Sequence, residues 1–250
     1  AAGLDTAAVV VVVTVRALKR HGGIARDRLA EPNAEAVRWG LGNLRKHVES
    51  VRIFRERPIV AINRFDADTE EEISVIREAC DDMRVPSEVA EHFQRGGDGA
   101  MALAEAVIRH AEQQSHPFEP LYEWSDPVKE KLHRIASAMY GAAHVTYEYP
   151  AEKDIERIDR LGYANLPLCV AKTPLSLTGD ASIVGRPRDF ELKIRRVLLS
   201  AGAGYLVPLV GDVVRMPGLP SDPQATRMDL ENGEIRGERW YIAGCDVEID

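Results

Sequence analysis

The run Ala7-Ala-Val-Val-Val-Val-Val13 decides the fold class. It is bracketed by Asp5 and Arg16, and it is far shorter than the roughly 20 apolar residues that cross a bilayer. No basic leader or small-residue cleavage site accompanies it, so it does not read as a signal peptide. An unbroken β-branched run of this length predicts a strand buried on both faces, hence a parallel sheet covered by helices. A central strand so near the first residue predicts that the sequence begins inside a domain.

Working outward, residues 34–55 place Val37, Leu41, Leu44, Val48 and Val51 at helical spacing. Residues 58–62 (Pro-Ile-Val-Ala-Ile) form a second short apolar strand that ends at Asn63-Arg64-Phe65. Thr69-Glu-Glu-Glu72 is a capping-box pattern opening a helix that buries Ile73, Ile76 and Cys80. Strand, helix, strand, helix is the rhythm of an α/β fold. Residues 85–90 read as a strand or short helix. The glycine-rich turn Phe93-Gln-Arg-Gly-Gly-Asp-Gly99 then leads into a helix carrying Met101 and Leu103. His116-Pro-Phe-Glu-Pro120 marks a boundary, which divides the chain into an α/β region 1–117, a smaller α/β domain 118–230 and a tail 231–250. In the second part, Asp126-Pro127 is a cap and first turn for a helix with Val128, Leu132, Ile135 and Met139 on one face. Residues 145–149 and 166–171 read as strands, 152–161 as a helix, and 190–214 as two or three strands broken by glycines. No firm structure is assigned to 221–250.

The composition, 45% hydrophobic and 29% charged over 250 residues, is that of a soluble globular protein. The net charge of −8 disfavours an extended nucleic-acid surface but leaves small anionic ligands open. The three cysteines are far apart and predict reduced thiols in a cytosolic protein, with Cys80 and Cys169 in the core. The seven histidines show no metal-ligand spacing, and no metal site is assigned. GxxxxGK[ST], GxSxG, HExxH and GxGxxG are all absent. What remains are loops at strand ends, where α/β sheets hold ligands. One is Asn63-Arg64-Phe65 with Asp68-Thr69, which on periodicity alone reads first as a strand end and a helix cap. Another is Phe93 to Gly99, whose Arg95, Gly96 and Gly97 could approach an anionic ligand or simply form a turn. The third, Lys172 to Leu177 with Gly185-Arg186, reads first as a polar loop.

The strings TVRALKRHGG, GLGNLRKHVESVRIF, PIVAINRFDADTEEE, FQRGGDGA, LPLCVAKTPLSL and GRPRDFELKIRRVLLSAGAGYLVPLVGDVVRMPGLP closely resemble the C-terminal half of formate–tetrahydrofolate ligases, in order from about Leu4 to Gly237. The resemblance implies a P-loop NTPase-like parallel sheet followed by a smaller C-terminal α/β domain. It also implies ATP-dependent formylation of tetrahydrofolate through formyl phosphate, giving 10-formyltetrahydrofolate. ATP with Mg²⁺, a monovalent cation, a homotetramer and a cytoplasmic location belong to the same implication, with no nucleic acid and no membrane. Phe65 and Phe93 fall at the family's two ring-stacking positions; the second is typically Trp, so stacking should survive but weaken. Asn63 and Asp68 are then expected to position polar groups of the ligand, and Arg95, Gly96 and Gly97 to serve an anionic or polar part of it. Thr14 and Arg16 lie near the nucleotide side. The family's phosphate loop falls upstream of this sequence, so a catalytic residue cannot be named, and an N-terminal half is expected to be needed. A non-catalytic folate-binding or subunit-interaction protein, or an inactive remnant, is the alternative. The family-like run from Leu198 to Pro220 carries no reactive group and is expected to build the C-terminal domain behind the Phe65–Phe93 slot.

Overall fold

A computed structural model describes residues 6–112, 119–211, 226, 228–231, 234–236, 239–242 and 245–248. The chain divides into two compact units, Ala1–Gly211 and Asp212–Asp250. The first opens with β1 (Val9–Val13), β2 (Pro58–Asn63) and β3 (Ser87–Ala90), a parallel sheet in the order β1-β2-β3. Val13 pairs with Ile62 and Asn63 with Ala90, so the carboxyl ends of the strands lie side by side.

Helices α1 (Val15–His21), α2 (Ala34–Arg52) and α3 (Glu70–Asp82) cover one face. Leu18, Val37, Leu44, Val48, Ile73, Ile76 and Cys80 pack there with Val13, Val60 and Ile62. Burial also pushes the Cys80 thiol up to about 11, which makes it an inert core residue. The capping box is formed: Thr69 Oγ1 accepts from Glu72 N–H, and Glu72 accepts from Thr69 N–H at 2.9 Å. On the other face α5 (Met101–Ala111) packs over β3 and β2. The valine strand is therefore not buried on both faces. Val10 and Val12 are 37% and 65% exposed, because β1 lies at the edge of this sheet and it is the Val11–Val13 side of the strand that packs against the core.

Helices α1 and α2 cross so closely that only glycine fits. A Cβ on Gly40 would lie 2.0 Å from the Leu18 carbonyl oxygen, and one on Gly22 would lie 2.0 Å from that of Ala36. Alanine favours a helix interior by about 1 kcal/mol, yet overpacking costs about 1–3 kcal/mol. Gly40→Ala is therefore expected to lose up to about 2 kcal/mol net. Urea unfolding checks this, and a gain in stability would contradict the crossing.

The second core of the same unit is built from α6 (Val128–Ile135), β4 (His144–Tyr147), α7 (Tyr149–Arg160), β5 (Glu191–Ser200) and β6 (Tyr205–Val210). Its sheet runs β4-β5-β6, with β4 parallel and β6 antiparallel to β5. Asp126 does not cap α6. Its carboxylate accepts from Glu123 N–H at 3.0 Å, a local turn that competes with capping. Helix α7 starts at Tyr149, earlier than its apolar spacing suggests, since Pro150 suits a first turn. Residues 166–171 run along β6, with Cys169 N–H donating to Leu206 O and Ala171 N–H to Pro208 O. Leu166, Leu168 and Val170 face the core, so strand alternation turns Cys169 outward and it is exposed, contrary to expectation. The run from Leu198 becomes the end of β5, a turn and β6; residues 212–220 of it lie outside the described residues.

Polar contacts join the two cores. Lys46 Nζ donates to Ala138 O at 2.5 Å and Ser50 Oγ to Met139 O at 3.2 Å, satisfying carbonyls in the π-helical turn Ala136–Tyr140 that continues α6. Asn43 Nδ2 donates to Gly185 O at 3.1 Å, and Arg186 grips the Glu49 carboxylate at 2.8 and 2.6 Å. Gly185 N–H donates to His21 Nδ1 at 3.0 Å, which requires that nitrogen to be unprotonated. Burial, then the neighbouring His47 and Arg20, hold His21 below its ordinary value. A lowered histidine contributes stability above its unfolded pKa of about 6.5, and that contribution is lost as pH falls toward the folded value. Stability should therefore drop between pH 7 and 5.5. The drop should shrink in His21→Asn, whose carbonyl can still accept from Gly185; an unchanged drop would remove His21 from the account.

The unit Asp212–Asp250 contains two antiparallel hairpins, β7 (Asp229–Glu231) with β8 (Glu234–Arg236) and β9 (Arg239–Ile242) with β10 (Cys245–Glu248). Among the described residues no helix is long and apolar enough to cross a membrane.

Candidate functional site

The loops leaving β1, β2 and β3 meet at the carboxyl edge of the parallel sheet. Thr14, directly after β1, caps α1, its side chain accepting from Ala17 N–H at 3.0 Å. Two residues on, the Arg16 guanidinium lies 4.8 Å from the centroid of the Phe65 ring, a cation–π stack across the first two strand ends. Phe65 is half-buried, and its N–H donates to Asp68 Oδ2 at 2.9 Å while Asp68 N–H returns a bond to Phe65 O at 3.0 Å. Phe65 and Asp68 thus close one tight turn that begins just after Asn63, the last residue of β2.

Phe93 sits on the short helix α4 (His92–Arg95) beyond β3 and is 70% exposed. Its loop is tied to the Phe65 loop. Gln94 Nε2 donates to Asp66 Oδ1 at 2.9 Å, Arg64 N–H donates to Ala90 O at 3.1 Å, and Arg64 pairs with Glu70 at 2.7 Å and Glu91 at 3.4 Å. Arg95 pairs with Glu91 at 3.1 Å, so an anion approaching it competes with an existing carboxylate. Gly96 takes φ +56°, a conformation L side chains rarely adopt, and a Cβ on Gly97 would meet nothing within 4 Å. The residues expected at a site therefore lie on or beside the segments that leave these three strand ends.

Three side-chain atoms here are buried without a hydrogen-bond partner: Arg16 Nε, Asn63 Oδ1 and Asp68 Oδ1. They are all such atoms among the described residues. Asp68 is 5% exposed, and burial pushes its carboxyl up, opposed by the Phe65 N–H and by Lys19 and Arg16, while Glu72 adds to the rise.

Behind this edge lies a pair that periodicity did not single out. Lys19 and Glu72 are fully buried with Nζ and Oε1 2.9 Å apart. Lys19 also donates to Glu31 O at 2.9 Å, and Glu72 accepts from Asn33 N–H at 2.8 Å. The sequence did carry a signal: Lys19 follows Val15 and Leu18 on the apolar stripe of α1, where a lysine needs a partner.

The third loop is internally committed. Lys172 donates to Thr173 O at 2.9 Å and to the Ser176 carbonyl, and lies 5.1 Å from the Tyr140 ring centroid. Burial brings it down to about 8. Among the described residues no cluster of His, Cys, Asp or Glu is placed to hold a metal ion.

Aromatic-bearing, mutually tethered loops at the carboxyl edge of a parallel sheet define an α/β protein, a fold class whose strand ends commonly hold small molecules. Comparison with known proteins narrows it. Residues 1–238 match the formate–tetrahydrofolate ligase family. A curated formate–tetrahydrofolate ligase of Phocaeicola vulgatus is 42% identical over 237 residues, covering 94% of this chain and 43% of the relative. The chain belongs to the formate–tetrahydrofolate ligase family and spans less than half the length of that curated relative.

Proposed function

We propose that this chain supplies the tetrahydrofolate side of an ATP-dependent formate–tetrahydrofolate ligase, with the ring of the folate held by Phe65 and Phe93. The observation that carries the reading is the tethering of these two aromatic-bearing loops, Gln94 to Asp66 and Arg64 to Glu91, at the carboxyl edge of a parallel sheet. Arg16 lies 4.8 Å from the centroid of the half-buried Phe65 ring, which in this proposal offers its other face to a flat ligand. Asn63 and Asp68 position its polar groups; Arg95, Gly96 and Gly97 face its more distant polar part; Thr14 and Arg16 border the nucleotide side. In the wider proposal the sheet is the remainder of a P-loop NTPase-like core, and residues 1–117 carry the folate loops. Formate is activated by ATP as formyl phosphate, with Mg²⁺ and a monovalent cation, in a cytoplasmic homo-oligomer.

No general base is assigned at this edge, so the role given to it is binding and orientation. Turnover then needs the phosphate-binding half of the family fold, in the same polypeptide or in another. This also favours a second reading, a folate-binding module without turnover of its own. Calorimetric titration with tetrahydrofolate tests what both share, and absence of binding removes both. Assay with ATP and formate beside a phosphate-loop half separates them: 10-formyltetrahydrofolate formation supports the ligase, and its absence with both halves folded supports the module.

A further inference from the structure

The loop that carries Phe93 closes on itself and balances its own charge. Glu91 N–H donates to Gly99 O at 2.9 Å, and Arg95 N–H to Glu91 O at 3.0 Å. A Cβ on Gly99 would lie 2.3 Å from that same Glu91 oxygen, so the neck of the loop accepts only glycine. Gln94 ties the loop to Asp66 at 2.9 Å. Within this frame the two oxygens of the Glu91 carboxylate serve two guanidinium groups. Oε1 faces Arg64 NH1 at 3.4 Å, and Oε2 accepts from Arg95 NH1 at 3.1 Å. Arg64 also holds Glu70 at 2.7 Å, so Glu70, Arg64, Glu91 and Arg95 form a chain of alternating charge. Arg95 is its open end, with a side chain 62% exposed and NH1 engaged by Glu91.

We infer that Glu91 is a specificity-determining residue: it stays beside Arg95 as a fixed counter-charge and weakens the hold of the site on the anionic end of its ligand. Tetrahydrofolate carries two carboxylates at the end remote from its ring. A carboxylate that reaches Arg95 gains one guanidinium and meets Glu91 at the same time, and like charges oppose each other. Glu91 does not swing aside easily, because Arg64 faces its other oxygen and the loop neck fixes its backbone. The inference rests on the proposed folate site and concerns the preference between charged and uncharged ligands that share the ring.

Glu91→Gln tests it, since the amide carbonyl can keep the Arg95 bond while the charge is removed, and Arg64 keeps Glu70. Tetrahydrofolate and 6-methyltetrahydropterin, which has the ring without the carboxylates, are titrated against the wild type, Glu91→Gln and Arg95→Gln. Loosening of the loop falls on both ligands and cancels in the ratio of their affinities. Glu91→Gln is expected to raise the preference for tetrahydrofolate about two- to fivefold at low salt, the scale of an exposed charge pair. At about 0.5 M NaCl screening should erase the gain. Arg95→Gln should lower the preference. An unchanged or lowered preference in Glu91→Gln overturns the inference. So does an unchanged preference in Arg95→Gln, which would place the carboxylates elsewhere while the ring site stands. Failure of the wild type to bind either ligand removes the folate site and the inference with it. If thermal unfolding shows that Glu91→Gln does not fold, the wild type decides. Its preference should hardly change with salt, because Glu91 already neutralises Arg95, and a steep loss with salt overturns the inference.

Discussion

Replacing Lys19 by methionine is expected to cost about 3–5 kcal/mol, because it leaves a buried carboxylate without its counter-charge. Domains are commonly stable by only about 5–15 kcal/mol, so the variant should unfold at markedly lower urea concentration. Glu72 would keep its bonds from Asn33 N–H, Thr69 N–H and the Thr69 hydroxyl, but lose the Lys19 ammonium at 2.9 Å. Burial pushes the Glu72 carboxyl up, and those hydrogen bonds, with Lys19, outweigh it and hold the group below its ordinary value. A lowered carboxylate contributes stability above its unfolded pKa and loses it as pH falls through the folded value. The deficit of Lys19→Met should therefore be largest near neutral pH and shrink toward pH 4. Lys19→Met with Glu72→Gln removes both charges, keeps an acceptor for the cap, and should recover most of the loss. A deficit below about 1 kcal/mol at pH 7 would place this pair among those that contribute little, and failure of the double variant to recover would assign the loss to packing. The pair joins α1, which begins just after Thr14, to the cap of α3, which begins just after Asp68. Loosening it should relax the turn that shapes the candidate site, linking the stability of the fold to ligand affinity.

Local patterns made the architecture of the first core legible. The spacing of Val37, Leu44 and Val48 gave α2, and Thr69 with Glu72 gave the start of α3. Continuous valines correctly signalled a parallel strand but not its place in the sheet, because position depends on which neighbours cover it; Val12 is 65% exposed for that reason. Asp126 was misread because a capping residue and a turn residue have the same chemistry, and only the surrounding chain decides between them. Near the end, Asn232-Gly233 separates β7 from β8 and is a strong hairpin signal that a polar composition obscured. At the candidate site, strand-end logic pointed to loops that the fold does bring together, but what ties them was hidden. Gln94 to Asp66 and Lys19 to Glu72 are contacts between segments far apart in sequence, which no periodicity encodes.

Removing the Phe65 ring should weaken tetrahydrofolate binding by roughly 1–3 kcal/mol, the scale of base–aromatic stacking, or roughly 5- to 150-fold in Kd. The ring does two jobs at once. In the proposed site it would offer a π-face to the ligand, and it holds the Arg16 guanidinium 4.8 Å from its centroid. Phe65→Leu separates these from simple burial, since leucine fills space but offers no quadrupole to cation or ring. If stacking carries the affinity, leucine should resemble alanine in binding while unfolding closer to the wild type. Phe93 should behave differently, being 70% exposed on α4 with its loop held through Gln94 and Arg64. Phe93→Ala is expected to lose affinity without losing stability, and Phe93→Trp to gain affinity through a larger face. Calorimetric Kd values beside urea midpoints for the four variants check the set. Wild-type affinity in both alanine variants would remove stacking as the basis of recognition. Loss confined to Phe65 would mean that Arg16 and the Asp68 turn hold the ligand, with the exposed Phe93 left out of the contact.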